Sequence, residues 1–430
     1  MIRLYHNIFN MQIGGIQMGG VLGIIAEYNP FHNGHLYHLI QSKKMSGADY
    51  TIAIMGGNFT QRGDVSLIDK WSKTEMALLG GVDLVIELPT IYAVSSAENF
   101  ADGAIKILDS LKIVDNVSFG SETKDINTLD RIADVLYNEP REYKTLLSHE
   151  LSKGLSFPKA RENALLMYLN DVRRFANILS SPNNILGIEY LKALRKYKSN
   201  IRPICIPRIG AGHNDLTSTN KNIASATFIR NLASSKKYDS LEFRRLLPIS
   251  SYSILIDNIK KGHYVNGINA FEKEILYNLR HMSVQEIADL PDVSEGLEYS
   301  LKNAANSCNS IIELLNIVNS KRYTKTRISR ILVYALLGLT KKDMQLSKSM
   351  LPYVRVLGLN ENGKQLLAMI SEANPKLQLV TSVKKFEDSN KNKNLQAMLE
   401  KDIWATNVYT LGYEFDSWAG LDYTKKLITL

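Results

Sequence analysis

At 430 residues, with 45% hydrophobic and 22% charged residues, the chain has the composition of a globular protein long enough for two or three domains, and fibrous or broadly disordered classes are excluded. Its two cysteines, Cys205 and Cys308, lie far apart in no ligand-like spacing; this argues against a disulfide framework or a Cys-based zinc site and fits a reducing cytoplasm. A formal net charge of +9 favours polyanionic partners such as nucleic acid.

Residues 1–17 carry scattered apolar residues and glycines without the pattern of a signal peptide, so they are expected to form a non-native or dispensable leader before an organised pattern that starts near Met18. No apolar run reaches the length of a membrane span, and no membrane partner is expected. Val21–Ala26 is a short apolar run closed by Asn29-Pro30 and reads as a buried parallel strand. Gly34–Lys44 follows as a helix. Tyr50–Met55, Asp83–Leu88 and Asn116–Gly120 read as further strands, with helices at Ser72–Leu79 and Phe100–Leu111 between them. Strands alternating with helices give a Rossmann-like α/β fold with a parallel sheet. A helical insertion is expected over about 126–175, a strand at Ile201–Ile206 and a helix at Ser225–Ala233. Beyond Pro248 the apolar spacing is helical, which places a domain boundary near 245 and a mainly helical domain over 246–430, with Lys384–Lys393 as a polar linker or loop.

Asn29-Pro30-Phe31-His32-Asn33-Gly34-His35 sits between the first strand and the next helix. Open parallel sheets collect ligands at the carboxyl ends of strands, and helix N-termini favour phosphate. There His32 and His35 can donate to phosphate oxygens, and Gly34 allows close approach to the backbone. His35 and His38, three apart, also suit a metal, but no third ligand stands nearby and no dedicated metal site is expected.

Met55–Gly63 follows the second strand; within it Asn58 is a candidate for the substrate and Arg62 for a carboxylate or phosphate. Phe119-Gly120-Ser121-Glu122 ends the fourth strand, where Gly120 can admit adenine or ribose and Ser121 or Glu122 can cap the next element. Ile223–Arg230 places Ser225, Thr227 and Arg230 at a helix start, a cradle for phosphate. The segment Ser320–Arg330 is basic with an aromatic inside it, which nominates Lys321, Arg322, Lys325, Arg327 and Arg330 for contact with an RNA backbone; the Lys384-Lys385 and Lys391/Lys393 cluster is a weaker candidate.

His-Xaa-Gly-His after a first strand resembles the nucleotidylyltransferase superfamily, and Ser225–Arg230 resembles the Ser-Xaa-Thr-Xaa-Ile-Arg signature of its triphosphate site. With its neighbours, Glu27–His38 resembles the opening of the bacterial tRNA(Met) cytidine acetate ligase family, and the likeness extends over most of the chain from Met18 onward. That resemblance implies a cytoplasmic enzyme that activates acetate with ATP as acetyl-adenylate. It then transfers the acetyl group to N4 of the wobble cytidine of elongator tRNA(Met), with Mg2+ accompanying ATP. It implies catalytic roles for His32, His35, Ser225, Thr227 and Arg230. ATP contacts fall on Ile25, Ala26, Glu27, Tyr28, Asn29, Pro30, Phe31, His32, Asn33, Gly34, His35, Leu36, Tyr37, His38, Gly120, Asn183 and Arg208. Two other readings stand beside it: an adenylyltransferase acting on a phosphorylated small molecule, and a non-catalytic RNA-binding protein.

Overall fold

The computed structural model describes residues 12–13, 16–17, 20–208, 222–320 and 323–430. Its centre is an eight-stranded sheet. Five parallel strands come from the first half of the chain: β1 (Val21–Ala26), β2 (Tyr50–Gly56), β3 (Leu84–Leu88), β4 (Asn116–Ser121) and β5 (Arg202–Pro207). Three more come from the second half: β6 (Val354–Leu359), β7 (Leu379–Val380) and β8 (Ile428–Thr429). The spatial order is β8-β6-β3-β2-β1-β4-β5, with β7 beside β6, and every pairing is parallel except β3 with β6.

The inner strands are buried and mostly apolar because both faces are covered. Val21, Ile25, Ile52, Ile54, Leu84 and Ile86 belong to one core, while Leu22, Ile24, Ala53, Met55 and Val85 belong to the core on the opposite face. Helix α1 (Asn33–Ser46) and helix α2 (Lys70–Leu79, capped by Asp69) supply Leu39, Met76, Ala77 and Leu78 to the second core. Helix α3 (Ala97–Ser110, capped by Ser96) fills the first, with Phe100, Ala104, Ile105, Ile107 and Leu108 turned inward. Helix α4 (Pro182–Lys196) packs on α3 and on β4. The expected insertion over 126–175 is four helices, Ile126–Asn138, Arg141–Ser152, Phe157–Leu169 and Val172–Phe175.

Helix α5 (Ala226–Ser234) completes the first half. After residue 245 the chain is mostly helical, including α6 (Glu272–His281), α7 (Leu297–Ser307) and α8 (Lys325–Leu337). The sheet nevertheless crosses the boundary expected near 245, because β6, β7 and β8 return to it. Val354-Arg355-Val356-Leu357-Gly358-Leu359 is buried at all six positions, and helical spacing elsewhere in this half masks that short run. The expected linker at Lys384–Lys393 also differs. Val383–Ser389 is a helix capped by Ser382, with Val383 and Phe386 buried, so Lys384 and Lys385 lie on its outer side.

Candidate active site

β1 is the point where strand order reverses: β2 and β3 are added on one side, β4 and β5 on the other. A crevice must open above such a switch, because the connections leave in opposite directions. A cavity of about 320 Å³ lies there. Ile24–Asn29 and Gly120 form its floor, α1 contributes His32, Gly34, His35, Tyr37 and His38, and α5 contributes Ser225, Ala226, Thr227 and Arg230.

The histidine loop is held by its own caps. His32 is the N-cap of α1: its Nδ1 accepts the Gly34 N–H at 3.0 Å, and its own backbone N–H donates to His35 Nδ1 at 3.3 Å. This is a capping box built from two imidazoles. With both Nδ1 atoms accepting, the proton of each neutral ring sits on Nε2, the tautomer that presents an N–H donor. The rings stack with centroids 3.8 Å apart. Burial lowers the His32 pKa to about 3, with Arg208 and Arg230 adding to the effect. Burial first, then His32, Arg208 and His38, holds His35 well below the usual histidine range. His38 falls to about 4, chiefly through burial, and its Nε2 lies 3.2 Å from Ser118 Oγ on β4. The imidazoles are therefore neutral hydrogen-bond donors at neutral pH, and the positive charge comes from the guanidinium groups of Arg62, Arg208 and Arg230 in the same wall.

Arg230 bridges the two motifs. Its Nη1 donates to the Asn29 carbonyl at 3.0 Å and its Nη2 to Thr227 Oγ1 at 3.2 Å, from one turn along α5. Ser225 is the N-cap of α5, its Oγ accepting the Phe228 N–H at 3.1 Å. Asn33 supplies the tether: its amide donates to the carbonyls of Asn222 at 2.9 Å and Arg245 at 2.7 Å, and its N–H donates to Leu246 at 3.1 Å. These bonds bring residues about two hundred positions apart into one crevice.

The structure redistributes several expected roles. Asn33, Pro30, Phe31 and Leu36 do not line the crevice. Asn33 is the tether, Phe31 is fully buried, and Leu36 packs against the second core. Gly34 lines the crevice and is also required by the protein itself: a Cβ there would lie 2.8 Å from His32 Cε1, so the ring makes a close approach to this backbone. Asn58 is 4% exposed with Oδ1 accepting the Lys70 N–H at 2.8 Å, which makes it a brace for α2 and not a wall of the crevice. Gly120 faces the cavity, where a Cβ would meet only Arg208 Cγ at 3.6 Å. Glu122 does not cap the element that follows it. Its carboxylate receives Asn183 Nδ2 at 2.6 Å and the Asn184 N–H at 3.0 Å, closing the start of α4 and setting Asn183 in the wall.

In the basic segment, Lys321 and Arg322 lie outside the described residues. Arg330 donates from Nε to Asp292 Oδ2 at 2.8 Å, and Arg327 from Nε to the Asp292 carbonyl at 2.8 Å, so both guanidiniums hold the loop before α7. Lys325 is exposed at the start of α8. Wall residues that the sequence did not signal include Thr60, Gln61, Asp64, Phe100, Phe119 and Tyr190. Gln61 had one readable cue, its neighbour Arg62; its N–H donates to Glu27 Oε1 at 2.7 Å. Phe100 and Tyr190 carry no such cue. Among the described residues, no group of three or more His, Cys, Asp or Glu is placed to hold a metal ion, and no helix is long and apolar enough to cross a membrane.

A parallel sheet with its crevice at the strand reversal, a His-Asn-Gly-His helix start and a Ser-Ala-Thr helix start facing it define the HIGH nucleotidyl transferase class, and the family model "HIGH Nucleotidyl Transferase" matches residues 19–420. The chain is 46% identical over 414 residues to the tRNA(Met) cytidine acetate ligase of Thermoanaerobacter sp. strain X514, covering 96% of this chain and 100% of that protein. It is 44% identical to the protein of the same name from Acetivibrio thermocellus, covering 95% and 100%. Thermotoga maritima TmcAL, solved in its apo form, superposes with a TM-score of 0.90 at 36% identity, over 96% of this chain and 99% of that one. The same protein bound with alpha-thio ATP superposes at 0.89 and 35% identity. The chain belongs to the tRNA(Met) cytidine acetate ligase family of HIGH nucleotidyl transferases.

Proposed function

We propose that this protein is an ATP-dependent, cytoplasmic tRNA-modifying ligase that activates acetate as acetyl-adenylate and acetylates N4 of the wobble cytidine of elongator tRNA(Met). The observation that carries the reading is the single crevice in which His32, His35, Ser225, Thr227 and Arg230 converge. A carboxylate attacking the α-phosphate of ATP releases pyrophosphate, and no protein nucleophile is needed; the site must position the two anions and stabilise charge on the leaving group. Neutral Nε2–H donors of His32 and His35, the Ser225 and Thr227 hydroxyls and the Arg230 guanidinium suit the triphosphate. Arg62, in the same wall as Thr60 and Gln61, suits the carboxylate of acetate. Arg208, Asn183 and Gly120 suit the nucleoside end. Magnesium travels in on the phosphates with its own waters in this reading. The first half, to about residue 245, carries the nucleotide chemistry, and the helical half carries the RNA, with Lys325 as one phosphate contact.

Incubation with ATP, acetate and total bacterial tRNA, followed by nucleoside mass spectrometry, tests this directly. N4-acetylcytidine is expected only when all three are present, together with acetate-dependent exchange of labelled pyrophosphate into ATP. Turnover of a phosphorylated small-molecule acceptor without acetate-dependent exchange would replace the reading with the adenylyltransferase.

A further inference from the structure

The described surface has a second concavity, of about 530 Å³, away from the nucleotide crevice. It is lined by Lys273, Leu276, Tyr277, Arg280 and His281 on α6 and by Asn309 after α7. Positions 273, 277, 280 and 281 fall on one helical face, and that face is exposed. Tyr277 is 66% exposed, and its ring lies parallel to that of His281, with planes 3° apart and centroids 5.9 Å apart. The two parallel, exposed rings are stacked on each other and leave an outer aromatic face a nucleobase can cover, and every base has a π-face to offer.

One cation beside the rings, Arg280, is fixed in place. Arg280 donates from Nε to the Ala305 carbonyl and from Nη2 to that of Cys308, both at 2.8 Å, which locks the end of α6 to α7. Glu272 and Glu313 serve as backbone acceptors for Ile311 and Asn309, both at 2.9 Å, while Glu274, three residues before Tyr277, is exposed. Lys273 extends from the exposed face one turn before Tyr277. Two positions tie this platform to the nucleotide crevice. Asp64, in the crevice wall, accepts the Ile268 N–H at 2.9 Å, and Ile268 begins the short helix that runs directly into α6. Tyr277 is therefore roughly 15 Å from that bond along the helix axis. α6 also packs on α8, whose backbone at Ser329 and Arg330 abuts Gly63, beside Arg62.

We propose that Tyr277 and His281 form a stacking platform for an unpaired base of the tRNA anticodon loop, with Lys273 on the adjoining phosphate. The inference rests on the tRNA-modifying reading above. A base must leave its loop to reach the crevice, which unstacks its neighbours, and aromatic platforms with adjacent cations are the usual receptors for unstacked bases. The distance from the crevice is one that a few nucleotides of single strand span.

The test is the affinity of the full chain for tRNA(Met), without ATP or acetate. Tyr277→Ala should weaken binding about 5- to 140-fold, the range for loss of one stacked base. Tyr277→Trp should restore it, and Lys273→Gln should flatten the dependence of log Kd on log salt by about 0.7. Thermal melting of the variants is expected to match the parent, since the side chains are exposed. An affinity for tRNA within twofold of the parent in Tyr277→Ala would overturn the proposal and leave the ring pair as a helix-surface contact only. Because neither ATP nor acetate enters this assay, its failure stays distinct from failure of the acetate-dependent exchange.

Discussion

Gly34→Ala separates the stability of the fold from the competence of the site. The added Cβ would stand 2.8 Å from His32 Cε1 and 3.0 Å from His32 Nδ1. The ring cannot yield sideways without leaving His35, stacked at 3.8 Å, so it must rotate and release the Gly34 N–H. Loss of the cap costs about 1 kcal/mol, while Ala for Gly in a first turn returns up to about 1 kcal/mol of helix propensity. The two nearly cancel, and the urea midpoint should hardly move. The His32 Nε2–H, by contrast, is displaced by on the order of 1 Å, and misplacement of that size costs about 100-fold in rate. Acetate-dependent pyrophosphate exchange, read as kcat/KM for ATP, should therefore fall about 100-fold in a protein that unfolds like its parent. Exchange within threefold of the parent would refute the placement of His32 against the triphosphate.

His35→Ala removes one donor aimed at developing charge, and exchange should drop by about 100- to 1,000-fold while tRNA binding, read by filter retention, persists; full exchange with the donor gone would remove His35 from the mechanism. Asn33→Ala deletes the side-chain bonds to Asn222 and Arg245. It should raise KM for ATP with a loss of about 1–3 kcal/mol in stability, whereas an unchanged KM would mean that other contacts hold the two motifs together. The buried histidines add a pH term. Their folded pKa values are depressed, to about 3 for His32 and about 4 for His38. The stability they confer is thus complete above about pH 6.5 and is lost as pH falls toward those values, by about 1.4 kcal/mol per pH unit for each ring. Urea unfolding of His32→Asn between pH 6.5 and 4.5 should show a slope shallower than the parent's by about that amount, and identical slopes would show that the ring is not held neutral. Arg330→Ala should lower stability by about 1–3 kcal/mol through loss of its ion pair with Asp292, which keeps only the Tyr334 hydroxyl, and leave tRNA affinity unchanged.

The strands β1 to β5 were legible because a sheet buried on both faces writes continuous apolar runs, and the crevice was legible because glycine, histidine and hydroxyl residues interrupt those runs at the carboxyl ends. The return of β6 to β8 was not. Two of these strands are only two residues long, and nothing local distinguishes Leu379-Val380 or Ile428-Thr429 from the ends of helices. Residue type alone also does not show where a polar group serves the protein's own framework. Asn33, Asn58 and Arg330 each read as a ligand contact, and each satisfies carbonyls, N–H groups or a carboxylate of the protein itself. Conversely, nothing in the sequence marks Phe100 or Tyr190 as wall residues: both pack into the first core, and only the assembled fold shows that they also border the cavity.

The most direct measurement is a structure of this chain with a non-hydrolysable ATP analogue. His32 and His35 from the start of α1, and Ser225, Thr227 and Arg230 from the start of α5, are expected within hydrogen-bonding distance of one triphosphate. Phosphates contacting only one of those helix starts, or a nucleotide seated outside the crevice between β1 and β4, would contradict the account.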